Sequence, residues 1–184
     1  MKIIFVSGNP EKIAIAKEEL KPFGIEVKSL KLNVEEIQAE TIEEVALQKA
    51  EDAYKLLKKP LIVVDAGLLI EAFKGFPGPY TKYAEKWFGA NGLMKIMSKT
   101  KNKKVRVKWC LVYKDKKTRK IFTSSGEGFF SENKKGVGGN WFECLIIDPS
   151  TYLTLGEYES EKKRTEFWGP IWVDFAKWFI KYKH

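Results

Sequence analysis

The first residues able to do chemistry in this chain are Ser7-Gly8-Asn9-Pro10-Glu11-Lys12, where an apolar run gives way to a polar turn. Asn9 suits a helix N-cap and Pro10 the first helical position, so one reading is a well-made helix start. A second reading adds a ligand. Gly8 lets a ligand approach the backbone closely. Lys12 puts a cation in the first turn, where it opposes the helix dipole by ~0.3–1 kcal/mol. An anion at the exposed amides would turn that penalty into attraction. The spacing is not that of a P-loop. Gly78-Pro79-Tyr80-Thr81-Lys82 repeats the pattern, with Pro79 opening a helix and Lys82 in its first turn. It is either a structural turn or a second lysine for one polyanion.

Two carboxylates stand out. Asp65 closes the apolar run Leu61-Ile62-Val63-Val64. The C-terminal edge of a buried strand is where ligand sites collect in α/β sheets. An Asp before Ala66-Gly67 equally suits a simple turn. In the loop Glu35–Thr41, Thr41 and Glu44 form a capping box and Glu43 complements the helix dipole. Glu40 has no such local duty and is free to hold a hard cation.

Nucleophile–imidazole chemistry is excluded by supply. There are two cysteines, Cys110 and Cys144, and one histidine, the terminal His184. These cannot build a zinc site of the usual N/S ligands or a Ser-His or Cys-His pair. Carboxylates, lysines, hydroxyls and a hard metal ion remain.

With 44% apolar residues, 12 Phe, 7 Tyr and 6 Trp, the chain can build a core. No apolar run approaches the ~20 residues of a membrane span, and the N-terminus is unlike a secretory signal, so a cytoplasmic protein is expected. The net charge of +9 is local: residues 99–120 hold eleven Lys/Arg and one acid, and the rest of the chain sums to −1. In that segment Val105, Val107, Trp109 and Leu111 alternate with Arg106, Lys108 and Cys110, as in a half-buried strand. A solvated hairpin turning at Asp115–Thr118 is favoured over a nucleic-acid surface.

The elements that must position these groups alternate. A strand at Lys2–Val6 precedes a helix at about 10–21, a strand near Ile25–Leu30 and a helix at about 42–57. Leu61–Asp65 is read as a buried strand, and Leu68–Ala72 as a second after a tight turn at Ala66-Gly67. Helical segments run to residue 98. The basic hairpin (about 104–131), a strand at Phe142–Ile147 and a helix at about 170–182 follow. This interleaving predicts α/β with a mixed sheet in one domain, residues 1–184.

In order and spacing these segments resemble the inosine/xanthosine triphosphate pyrophosphatase family. Its (S/T)-G-N-x-x-K motif is met by Ser7 to Lys12, and its metal-binding Glu before a long helix by Ile37-Gln38-Ala39-Glu40. Its (E/D)-D-S-G-L falls on Val64-Asp65-Ala66-Gly67-Leu68, with Val64 in place of the acid and Ala66 in place of the serine, and its G-x-P-G-x-Y element on Gly75 to Tyr80. The second half departs. The family's G-G-F-G-(Y/W)-D-P-I-F falls on Gly138-Gly139-Asn140-Trp141-Phe142-Glu143-Cys144-Leu145-Ile146, its lysine on Lys163, and its base-contacting S-H-R on Phe167-Trp168-Gly169.

The resemblance implies a long curved sheet flanked by helices, two lobes with a cleft between them, and a homodimer. It implies hydrolysis of a nucleoside triphosphate between the α- and β-phosphates, on purine nucleotides such as ITP, XTP or dITP, with Mg²⁺ as cofactor. Ser7, Gly8, Asn9, Lys12, Ala66, Lys82 and Lys163 are then the phosphate-end candidates. Glu40 and Asp65 are candidate metal ligands, and Asp65 and Lys12 the candidate catalytic pair. Trp141 or Phe142 would stack on the base beside Glu143, and stacking accepts any base, so weak base discrimination is expected. The rivals are a catalytically decayed nucleotide- or RNA-binding protein, and a Maf-like pyrophosphatase, against which Gly75–Tyr80 argues.

Overall fold

The structure, a computed structural model, describes residues 1–35, 37–137 and 140–183, with the backbone alone at Glu161 and Lys162. Gly138, Gly139 and His184, noted in the sequence, lie outside the described residues. In chain order the elements are β1 (Lys2–Val6), α1 (Pro10–Leu20), β2 (Glu26–Leu30), α2 (Ile42–Leu57), β3 (Leu61–Ile70) and α3 (Thr81–Ser98). Then come β4 (Lys104–Lys114), β5 (Arg119–Phe130), β6 (Ile146–Ile147), α4 (Glu161–Trp168) and α5 (Ile171–Lys183). Six strands form one sheet in the order β2-β1-β3-β4-β5-β6. β1 runs parallel to β2 and to β3, whereas β5 and β6 are antiparallel, so the sheet is mixed as expected.

Local chemistry sets the first helices. Asn9 Oδ1 accepts from the Glu11 and Lys12 amides at 2.9 and 3.1 Å and starts α1. The Thr41 hydroxyl accepts from the Glu44 amide at 3.2 Å while the Glu44 carboxylate accepts from the Thr41 amide at 3.0 Å, the reciprocal box that starts α2.

Three expectations are corrected. β3 does not break at Ala66-Gly67. It is one ten-residue strand with Asp65 in its middle, and Gly67 is buried in it. The apolar run Leu68–Ile70 continues the strand, and its burial overrides the turn preference of Asp and Gly. The expected strand at Phe142–Ile147 shrinks to Ile146–Ile147, preceded by a 3₁₀ turn at Glu143–Leu145. In β4 the alternation holds at Val105–Val107 and then gives way to burial on both faces from Trp109 to Tyr113, as for a central strand.

The chain condenses into two compact units, and β3, β4 and β5 contribute residues to both. The first contains residues 1–65, 109–124 and 170–184. Phe5, Ile15, Leu20, Leu61–Val64, Phe175 and Phe179 make its core, each such side chain contributing ~1.5–3 kcal/mol on burial. The hairpin turn is anchored there. Tyr113 and Tyr182 hydroxyls donate to Asp115 Oδ2 at 2.7 and 2.9 Å. Burial pushes the Asp115 carboxyl up, but these bonds and the Thr118 and Lys117 amides outweigh it and hold the group below its ordinary value. Lys114 and Arg119 each lie 3.5 Å from Glu51, so part of the basic segment is neutralised inside the unit.

The second unit contains residues 66–108 and 125–169. Thr81 Oγ1, buried at the start of α3, accepts from the Leu68 amide at 2.9 Å and donates to the Gly78 carbonyl at 2.7 Å. Gly126 is required on β5, because a Cβ there would meet the Phe167 carbonyl at 2.3 Å and its ring at 2.5 Å. Among the described residues no helix is long and apolar enough to cross a membrane.

Candidate active site

In the first unit the structure gathers Ser7, Asn9, Lys12 and Asp65. Ser7 Oγ accepts from the Asn9 amide at 3.2 Å, which shapes the turn between β1 and α1. Asn9 already caps the Glu11 and Lys12 amides, so these are not the open anion site that the sequence suggested. The groups left open at this turn are side chains and the exposed Gly8 backbone. Lys12 reaches β3 and β4. Its Nζ lies 3.4 Å from the Val64 carbonyl, 3.5 Å from Asp65 Oδ1 and 5.8 Å from the centroid of the Trp109 ring. The Lys12 and Asp65 side chains keep 19% and 22% of their surface, enough for a ligand to touch both.

Glu40 is exposed on the rim of a 470 Å³ recess that Glu44, Gln48, Glu51 and Arg119 also line. Glu44 is committed to its cap. Hydrogen bonds from the Thr41 hydroxyl and amide hold its carboxyl below the ordinary value. Among the described residues no group of three or more His, Cys, Asp or Glu is placed to hold a metal. Glu40 lines this recess and Asp65 does not; a hard ion such as Mg²⁺ commonly takes one or two protein carboxylates and completes its shell with water and substrate phosphates.

In the second unit Ala66 is half-buried on β3, while Lys82 and Lys163 are exposed near the starts of α3 and α4. Trp141 is half-buried and meets Phe142 edge-on, the rings 5.8 Å apart at 82°. Phe142 keeps only 5% exposure. Glu143 has no exposed surface. Its Oε1 accepts from Asn140 Nδ2 at 2.9 Å, and its Oε2 lies 3.6 Å from Arg164 Nε. Arg164 in turn donates to the Tyr158 carbonyl at 3.3 Å. In this arrangement Glu143 touches a substrate only if that network opens. Of Phe167-Trp168-Gly169, Phe167 packs against Gly126 and Trp168 is buried.

Sequence reasoning missed Trp109 and Arg164. The strand pattern marked Trp109 as buried, but nothing local pairs it with Lys12, 97 positions away. Arg164 sits in α4, a helix too polar to show a buried face in the sequence.

The model of the Ham1 family matches residues 3–166. The chain belongs to the Ham1 family. A dITP/XTP pyrophosphatase of Thermococcus kodakarensis is 36% identical over 97% of both chains. One of Methanopyrus kandleri is 33% identical over 97% of this chain and 96% of its own. The family fold is also that of the solved Ham1 protein of Staphylococcus aureus, at a TM-score of 0.82 and 22% identity with full coverage of both chains. Family membership thus agrees with the motif order of the first hundred residues, and with an enzyme acting on acid anhydrides.

Proposed function

We propose that this Ham1 family protein hydrolyses nucleoside triphosphates between the α- and β-phosphates, consuming one water and releasing a monophosphate and pyrophosphate. Its substrates are purine nucleotides of the ITP, XTP and dITP kind. The supporting observation is the half-open Lys12–Asp65 pair behind the Ser7-Gly8-Asn9 turn, in a chain like the archaeal dITP/XTP pyrophosphatases.

Ser7, Gly8, Asn9 and Lys12 hold the triphosphate, with Ala66, Lys82 and Lys163 as further contacts. Lys12 offsets charge that grows on the departing pyrophosphate, the dominant requirement of such chemistry. Asp65 orients the attacking water and accepts its proton. Glu40 and Asp65 are the residues that would hold Mg²⁺, which supplies charge neutralisation on the phosphate oxygens. Trp141, backed by Phe142, is the stacking surface for the base. Glu143 supports that surface through Asn140 and reads the base only on opening. By likeness to the family, the working protein is a cytoplasmic homodimer.

The test is pyrophosphate release from a panel of nucleoside triphosphates with Mg²⁺, repeated with Asp65→Asn. We expect turnover of ITP and XTP, and a loss on the order of 10³-fold in Asp65→Asn with the fold intact. Activity that survives the substitution refutes this site. Binding without turnover of any nucleotide would favour a decayed enzyme.

A further inference from the structure

We propose that Trp109 is a positioning residue for Lys12, its indole face holding the ammonium beside Asp65 for a phosphate oxygen. The inference rests on the pyrophosphatase reading of Lys12 and Asp65.

Trp109 lies on β4 and is 2% exposed. The Lys12 ammonium sits 5.8 Å from its ring centroid, inside the ~6 Å at which a ring quadrupole attracts a cation. Among the described residues, the oxygens near that ammonium, Val64 O at 3.4 Å and Asp65 Oδ1 at 3.5 Å, are both long contacts. Neither would fix a flexible four-carbon stem by itself. A buried ring on the neighbouring strand limits where the ammonium can go, and it does so without accepting a proton. The loosely held charge can therefore turn to an arriving phosphate while it remains over the ring. A smaller aliphatic side chain such as leucine would keep the position apolar but offer no such attraction.

The experiment is a mutant cycle built from Trp109→Leu, Trp109→Phe, Lys12→Met and the pairs of these. The readouts are kcat/KM for ITP with Mg²⁺, calorimetric Kd for inorganic tripolyphosphate, and Tm. We expect Trp109→Leu to weaken both kcat/KM and tripolyphosphate binding by about tenfold, and Trp109→Phe to restore most of it. With Lys12→Met in place, the Trp109 substitutions should change neither quantity further. If they cost the same factor with or without Lys12, Trp109 is only core and the proposal is overturned. The same holds if Phe is no better than Leu. Should Trp109→Leu fail to fold, Trp109→Phe with and without Lys12→Met decides alone. Absence of turnover in the native protein, together with coupled tripolyphosphate binding, would retire the pyrophosphatase reading and keep the role of Trp109.

Discussion

One cation–carboxylate pair in the first unit and one in the second stand at nearly the same separation, and the two differ sharply in exposure. Lys12 and Asp65 stand 3.5 Å apart with 19% and 22% of their side chains accessible. Arg164 and Glu143 stand 3.6 Å apart with 10% and 0%. Water and ligands can replace either partner in the first pair, so separating it costs little. The second pair has left water, and separating it strands a charge in a low-dielectric interior. Burial, not distance, distinguishes a pair available for chemistry from one that holds a loop. In the first unit Gly8, Lys12 and Asp65 remain accessible. In the second unit Glu143 is enclosed by Asn140 and Arg164, and Trp168 is buried.

The largest effect that would sharpen this contrast is on stability. Glu143→Gln keeps the shape and the Asn140 contact but removes the carboxylate charge beside Arg164. We expect a loss of about 3 kcal/mol, read as a fall in Tm of roughly 10 °C for a chain of this size. Adding Arg164→Met should recover part of it, because no buried charge is then left over. A Tm within a degree or two of the native protein would break the contrast. If that stable variant also changed the ratio of ITP to GTP turnover, Glu143 would be a base reader after all.

The open pair should answer in activity instead. Lys12→Met is expected to lower kcat/KM for ITP by about 10- to 100-fold, a factor of ten being ~1.4 kcal/mol. Its Tm should stay within about 2 °C, because the Asp65 carboxylate keeps access to water. A large fall in Tm would show that Lys12–Asp65 is structural in the manner of the Glu143 pair.

The same contrast explains what could be read from the chain. Asn9, Pro10, Thr41 and Glu44 act on amides two or three residues away, and so α1 and α2 were legible to within a residue or so. Lys12 Nζ at Val64, 52 positions on, could not be read from spacing. The Ala66-Gly67 pair looked like a turn because turn chemistry is local. Its place inside β3 follows from burial that only the sheet provides. Glu143 kept its identity as an acid near the family position, yet its environment depends on Arg164, 21 residues later in a helix the pattern did not reveal. The motifs around Lys12 and Asp65 were legible, their contacts in space were not, and the segment around Glu143 was legible only as a departure from a motif.

The smallest expected effect concerns Gly8, and it separates folding from ligand approach. Gly8 is exposed and its φ lies outside the left-handed range. A Cβ there would meet only the Lys31 stem, at 3.5 Å from Cγ and 3.6 Å from Cδ and Cε, which is ordinary contact. Nothing in the free protein therefore requires glycine. Gly8→Ala should change stability by no more than ~0.5 kcal/mol, or raise it slightly by restricting the unfolded chain. If a phosphate approaches this backbone, the added methyl stands in its way. KM for ITP should then rise about three- to tenfold, with kcat less affected, since the loss is in binding rather than in the bond-breaking step. Unchanged KM and Tm would move the triphosphate away from the Ser7-Gly8-Asn9 turn and leave Lys12 and Asp65 to receive it alone.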